Sequence, residues 1–219
     1  MENRTFSIIG FGNHCESIAS KLNSEGIGLG WDRGTRLLLI LVENNESDTF
    51  IIRLCKKVKE KKCRVVILSI NPSLHNNLFL NVADSFLYID KELDAYSIIK
   101  VLREVIYKRN LYCYDMNDLI CFLKAFSIGN CSFQEYHFPA HDLLQIGEGK
   151  LEFEHIPTKR YLTYLGLCQP WDGKIYSDLD KVCKEKGTFQ VCSIVVDEEL
   201  PYSVLAIITI TKSNLCTKT

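Results

Sequence analysis

Apolar positions recur along this chain with two periods, and the order of those periods outlines a fold. Phe6, Ile8 and Ile9 open with a short apolar run, and Gly10 and Gly12 follow as a turn. Ile18, Ala19 and Leu22 then recur at helical spacing until Gly26. This is strand, glycine turn, helix, the first unit of an open α/β sheet. A glycine-rich loop, Gly26 to Arg36, leads to Leu37–Val42, whose unbroken apolar run L-L-L-I-L-V suits a strand covered on both faces. Ser47 or Asp48 is expected to cap a helix that turns Ile51, Ile52, Leu54, Cys55 and Val58 inward. Cys63 to Ile70 forms a third strand, stopped by Asn71 and Pro72. The β-α-β unit so made is expected to cross over right-handed.

Asp84 to Asp90 reads as a fourth strand. Ala95 to Tyr107 carries apolar residues on more than one side, so that helix is expected to be central and buried. Another helix is expected from about Asn117 to Ala125, and a first domain from Met1 to Leu144. Gln145 to Lys150, Q-I-G-E-G-K, is a linker by composition. Beyond it come a strand at Tyr161–Cys168, an amphipathic helix at Tyr176–Glu185, and strands at Phe189–Val196 and Ser203–Thr211. The last two are expected to form a hairpin. The expected fold class is therefore α/β, a Rossmann-type parallel-sheet domain over 1–144 and a small α+β domain over 145–219. The helix Ala95–Tyr107 is expected to link them.

Composition narrows the function. The 219 residues are 47% hydrophobic and 24% charged, which sustains a packed core. A net charge of −1 gives no electrostatic case for a nucleic-acid surface. Lys56, Lys57, Lys59, Lys61 and Lys62 cluster where a helix ends, a place that favours cations. No apolar run approaches the roughly 18 to 20 residues of a membrane span. Ten cysteines are scattered without a C-x-x-C pair, and no signal-type segment opens the chain. Reduced, buried thiols in a cytoplasmic protein are expected. His137 and His141 are separated by Pro139 and lack a third ligand, so no metal site is expected. Trp31 and Trp171 stand beside turn sequences and read as partly buried loop aromatics. G-x-S-x-G and the Walker pattern are absent, and G-F-G-N-H-C lacks the third glycine of a dinucleotide fingerprint.

Six stretches carry a resemblance when taken together. They are S-I-I-G-F-G-N-H-C-E-S (Ser7–Ser17), the strands L-L-L-I-L-V and V-V-I-L-S, the strand Asp84–Ile89, C-Y-D-M-N-D (Cys113–Asp118), and C-S-I-V-V-D-E-E-L-P-Y-S-V-L-A-I-I-T-I-T (Cys192–Thr211). In this order they resemble FtsZ, a member of the tubulin superfamily. The first is similar to that family's phosphate loop after I-G-x-G, and the two strands to those flanking its G-G-G-T-G-[ST]-G signature. Asp84–Ile89 is similar to its D-S-x-x-x-I strand, Cys113–Asp118 to its acidic synergy loop, and the last stretch to its closing hairpin. The resemblance implies GTP with magnesium near Gly10, Gly12, Asn13 and Ser47. It also implies that Asp115 and Asp118 position water against a nucleotide held by a neighbouring subunit. An Asp at a helix start is equally suited to capping, and capping is the preferred reading of this pair.

The departures shape the functional expectation. After Gly12 stand Asn13, His14 and Cys15 in place of glycines, and Glu43 to Asp48 replace the second glycine signature. Glycine is needed there because backbone must approach phosphate closely. Each acid set about 4 Å from a phosphate costs on the order of 1 to 4 kcal/mol. The leading expectation is an FtsZ-like cytoskeletal or cell-division protein without competent GTP binding. It would act by self-assembly or by docking on FtsZ-type subunits. The alternatives are a GTPase of weak or partner-dependent activity, and a small-ligand module on the same fold.

Overall fold

The structure, a computed structural model, describes residues 6–24, 34–44, 47–71, 78–108, 115–138, 158–168, 192–196 and 200–213. Eight strands form one continuous sheet in the order β1-β2-β3-β4-β5-β8-β6-β7. The first four are β1 (Phe6–Phe11), β2 (Leu37–Val42), β3 (Arg64–Ser69) and β4 (Ser85–Ile89), all parallel. The six residues of β2 are buried without exception. Leu37, Leu39 and Leu41 belong to one hydrophobic cluster and Leu38, Ile40 and Val42 to another, as period-two alternation in a doubly covered strand requires.

Helix α1 (Asn13–Ser24) buries Cys15, Ile18, Ala19 and Leu22 on the first of those faces. Helix α2 (Asp48–Glu60) buries Ile51, Cys55 and Val58 on the other. The steps from β1 to β2 and from β2 to β3 move the same way across the sheet. The two crossovers therefore have opposite hand, so the right-handed rule cannot hold for both. The connections leaving β1 and β2 diverge to opposite faces, the arrangement that in open α/β sheets marks where ligands bind, at the carboxyl ends of the strands.

Helix α3 (Asp94–Tyr107) lies on the α1 face, with Lys100 and Tyr107 exposed. Its buried side shares a cluster with α1, with α4 (Met116–Leu123) and with residues of the later strands, among them Leu162, Tyr164 and Ala206. It thus covers one face of the sheet instead of running through its centre. After α4 comes β5 (Ile128–Phe138), which the sequence pattern did not predict. Its apolar residues are interrupted by Asn130, Ser132, Gln134 and Glu135, so it lacks the continuous run that marked β2. β5 pairs in parallel with β4 through Phe86↔Ile128 to Ile89↔Cys131. It also pairs antiparallel with β8 (Ser203–Lys212) from Gly129 to Phe138.

The expected closing hairpin is corrected. β7 (Cys192–Val196) does not pair with β8, because β6 (Lys159–Leu167) lies between them, parallel to β7 and antiparallel to β8. Leu200, shortly before β8, lays its side chain on Gly166 of β6, where a Cβ would meet Leu200 Cδ1 at 2.9 Å. Three further expectations lie outside the described residues: the 144/145 boundary with its linker, the helix 176–185, and the positions of Trp31, Trp171 and His141. Among the described residues no helix is long and apolar enough to cross a membrane.

Candidate functional site

The carboxyl ends of β1 and β2 gather the residues that the first turn was expected to supply. Gly10 is not in the turn; it is the fifth residue of β1 and pairs with Leu41. Glycine is required there because α1 packs directly on it, and a Cβ would fall 2.1 Å from the Cys15 carbonyl oxygen. Gly12 makes the turn, with φ +99°, a conformation that side-chain-bearing residues avoid. Asn13 is the exposed first residue of α1.

The first turn of α1 presents backbone N–H groups with no partner inside the helix. Glu43, the residue after β2, takes two of them. Its Oε2 accepts from His14 N–H at 2.8 Å and from Cys15 N–H at 3.1 Å. The carboxylate thus stands at the positive end of the helix dipole, where an anion is most stabilised. Its backbone is fixed from both sides. Glu43 N–H donates to the Phe11 carbonyl at 3.3 Å, and Asn71 Nδ2 donates to the Glu43 carbonyl at 3.0 Å. Gly12 leaves space for this side chain, because a Cβ there would lie 2.3 Å from Glu43 Cγ.

More acid surrounds the same place. Glu92, just beyond β4, pairs with His14 at 3.2 Å. Burial, aided by Glu43, Glu92 and Glu16, pushes the Cys15 thiol up to about 12. Burial and the neighbouring Asp94 also raise Asp90 above the ordinary carboxylate value, with Lys91 opposing. The ring of Phe50, in the first turn of α2, packs at 5.8 Å on Phe11. Ser47 is the N-cap of α2 by position, but its side chain makes no capping hydrogen bond. The expected cap is therefore corrected to a position without that bond.

Asp115 and Asp118 lie elsewhere. They form a reciprocal capping box at the start of α4: Asp115 Oδ1 accepts from Asn117 N–H at 2.6 Å and Asp118 N–H at 3.1 Å. Asp118 Oδ2 accepts from Asp115 N–H at 3.0 Å. Those backbone donors, chiefly Asp118 N–H, hold the exposed Asp115 carboxyl below its ordinary value. Arg36, which precedes β2, donates to Asn117 Oδ1 at 2.6 Å, so this cap sits at the amino end of the sheet. The glycines and the two aspartates are thus at opposite ends of the strands, and no single ligand touches both sets within one chain. Among the described residues no group of three or more His, Cys, Asp or Glu is arranged to hold a metal ion.

The residues present do not fit a triphosphate with magnesium. The two helix N–H groups that would take a phosphate oxygen are engaged by Glu43, and Glu16 and Glu92 add like charge nearby. In the sequence Glu43 reads as one of several acids that would repel phosphate; that its carboxylate accepts from the His14 and Cys15 N–H groups was not legible there. The available signal was an acid directly after a fully buried parallel strand, opposite a glycine turn.

No protein-family model matches the sequence, and no curated protein matches it. Among solved structures, FtsZ from M. jannaschii superimposes with a TM-score of 0.58 at 10% identity, covering 90% of this chain and 68% of that one. CetZ from Methanosaeta thermophila superimposes with a TM-score of 0.50 at 11% identity, covering 90% of this chain and 64% of that one. The chain has the FtsZ/CetZ fold, and it spans about two thirds of the length of either structure.

Proposed function

We propose that this chain is an FtsZ-like cytoskeletal subunit whose nucleotide loop holds an internal carboxylate in place of GTP. It works through contacts with copies of itself or with FtsZ-type subunits. The observation that carries this reading is the Glu43 carboxylate on the His14 and Cys15 N–H groups. A protein that keeps the glycine turn but closes it with its own acid retains the scaffold and gives up the ligand. The fold supports the cytoskeletal part of the reading.

The test is a thermal melt with and without millimolar GTP and magnesium, paired with sedimentation. A ligand at a hundredfold excess over its Kd adds about 2.7 kcal/mol of stability. We expect no rise in Tm, together with self-association or co-sedimentation with FtsZ filaments. A clear rise in Tm would overturn the loss of nucleotide binding.

One observation favours a second reading, a GTPase of weak or partner-dependent activity. Gly12 keeps its left-handed conformation, and the group that occupies the α1 N-terminus is the end of a flexible side chain, Glu43. In that case Gly10, Gly12, Asn13 and Ser47 would hold the nucleotide once a partner drew Glu43 aside. GTP would then raise Tm only when that partner is present.

A further inference from the structure

Helix α2 turns Ile51, Cys55 and Val58 to the sheet and a cationic side to solvent. At roughly 3.6 residues per turn, Phe50, Arg53, Lys57 and Lys61 follow one another along that outer side, with Lys56 and Glu60 beside them. All six are exposed, and so is Lys62, just past the helix. Five cations, Arg53, Lys56, Lys57, Lys61 and Lys62, thus face one acid, Glu60, in a chain whose net charge is −1. Among the described residues no acid forms an ion pair with Arg53, Lys56, Lys57 or Lys62.

The helix dipole accounts for part of this charge only. The carboxyl end carries about half a unit of negative charge, and its effect fades beyond the last turn. Arg53 lies roughly two turns back. Arg53 with Lys57, and Lys57 with Lys61, are like charges four residues apart, a spacing that destabilises a helix. Lys62 adds a backbone cost. With φ 62° it is, among the described residues, the one non-glycine in the left-handed region, and its N–H donates to the Lys59 carbonyl at 2.9 Å. Glycine commonly takes this helix-ending place, and at less cost. Neither cost serves the fold; both serve a surface of opposite sign.

We propose that the outer face of α2 docks on an anionic lipid bilayer, its cations among the headgroups and Phe50 reaching the acyl boundary. A straight stripe on a convex molecule meets a plane along its whole length. Phe50, 59% exposed, supplies the apolar group that a basic helix lying on a membrane buries. Four of the five cations are lysines, point charges that suit a diffuse layer of headgroups. The forked arginine that grips nucleic acid occurs once, and the face carries no Asn or Gln to read base edges. The inference goes beyond the proposed function and depends neither on the nucleotide loop nor on self-association.

The experiment is flotation of the full chain with vesicles of equal parts phosphatidylserine and phosphatidylcholine, and with vesicles of phosphatidylcholine alone. Wild type is expected to float with the first, not with the second, and to be released by salt. Each cation against an anionic leaflet is worth roughly fivefold in affinity, so Arg53→Gln with Lys57→Gln should lower it about 25-fold. Lys100→Gln with Arg103→Gln removes the same charge from α3, on the opposite face of the sheet, and should leave affinity near wild type. Melts establish that both double variants fold. Lys62→Gly separates binding from folding: Tm should rise while vesicle affinity falls roughly fivefold. Equal flotation with phosphatidylcholine alone overturns the inference, and so does an equal loss from the α2 and α3 pairs. A Lys62→Gly protein with a raised Tm and unchanged affinity overturns it too, since the cations then belong to the helix end. Wild type that ignores vesicles and binds duplex DNA or RNA instead would assign the face to nucleic acid, and the inference falls.

Discussion

Gly12 and Glu43 are complementary: a Cβ on Gly12 would sit 2.3 Å from Glu43 Cγ, and the missing side chain is what admits the carboxylate to the α1 N-terminus. The turn that in a phosphate loop leaves room for a ligand here leaves room for a residue of the same chain. The consequences can be measured.

Glycine substitutions should differ in severity. Gly12→Ala strains a backbone at φ +99° and displaces a flexible side chain, at a cost of about 1–3 kcal/mol. Gly10→Ala drives a methyl group into the Cys15 carbonyl at 2.1 Å, and backbone in a packed helix yields less readily. We expect about 3 kcal/mol or more, with α1 lifted from β1. Urea unfolding of both variants checks the order.

Glu43→Ala should free the α1 N-terminus. Losing a charged acceptor there costs about 1–2 kcal/mol. The emptied cradle should then accept inorganic phosphate or sulfate, which would raise the Tm of Glu43→Ala and leave wild type unchanged. Equal responses from the two proteins would show that Glu43 does not fill an anion site.

Two carboxylates should bend the pH dependence of stability in opposite directions. Asp115 is held below its ordinary value of 3.8 in the folded state, so its contribution is present above that value and lost as pH falls through the lowered one. Asp115→Asn should therefore flatten the acid limb of a stability curve. Asp90 is raised, so the folded state takes up its proton first, and stability declines as pH climbs from 3.8 through the raised value. Asp90→Asn should accordingly stabilise the protein at pH 7. A destabilised Asp90→Asn would mean that the carboxylate has a partner which outweighs its burial.

Thiol chemistry offers an independent check on the packing. Burial pushes Cys15, Cys55 and Cys131 up to about 12 and Cys63 to about 11, so all four stay protonated at pH 8. Cys121 is exposed on α4. Iodoacetamide followed by peptide mapping should label Cys121 on the native protein and the other four only in denaturant. Rapid labelling of Cys15 would show that the α1 N-terminus opens.

How much of this could be read in advance varies with the range of the interaction. Leu37–Val42 was legible as a doubly buried strand, because six apolar residues in a row leave a strand no face for water, and the four apolar residues Val65–Leu68 marked the third strand. α1, α2 and α3 were legible because their buried residues recur at helical spacing, a property of each segment alone. The capping box of Asp115 and Asp118 was equally local, a matter of three residues. Other features depend on which segments meet. β6 lies between β7 and β8, and Gly166 receives the Leu200 side chain, yet neither residue advertises the other across thirty-odd positions. β5, with its mixed polar face, becomes a strand by pairing with β4 and β8 on its two edges. Glu43 reads as one more surface acid until the sheet brings the ends of β1 and β2 side by side, and His14 and Cys15 then offer it two hydrogen bonds. Periodicity encodes what a segment buries; only the assembled sheet fixes what lies across from it, because strand partners and helix ends are chosen by contacts between residues far apart in the chain.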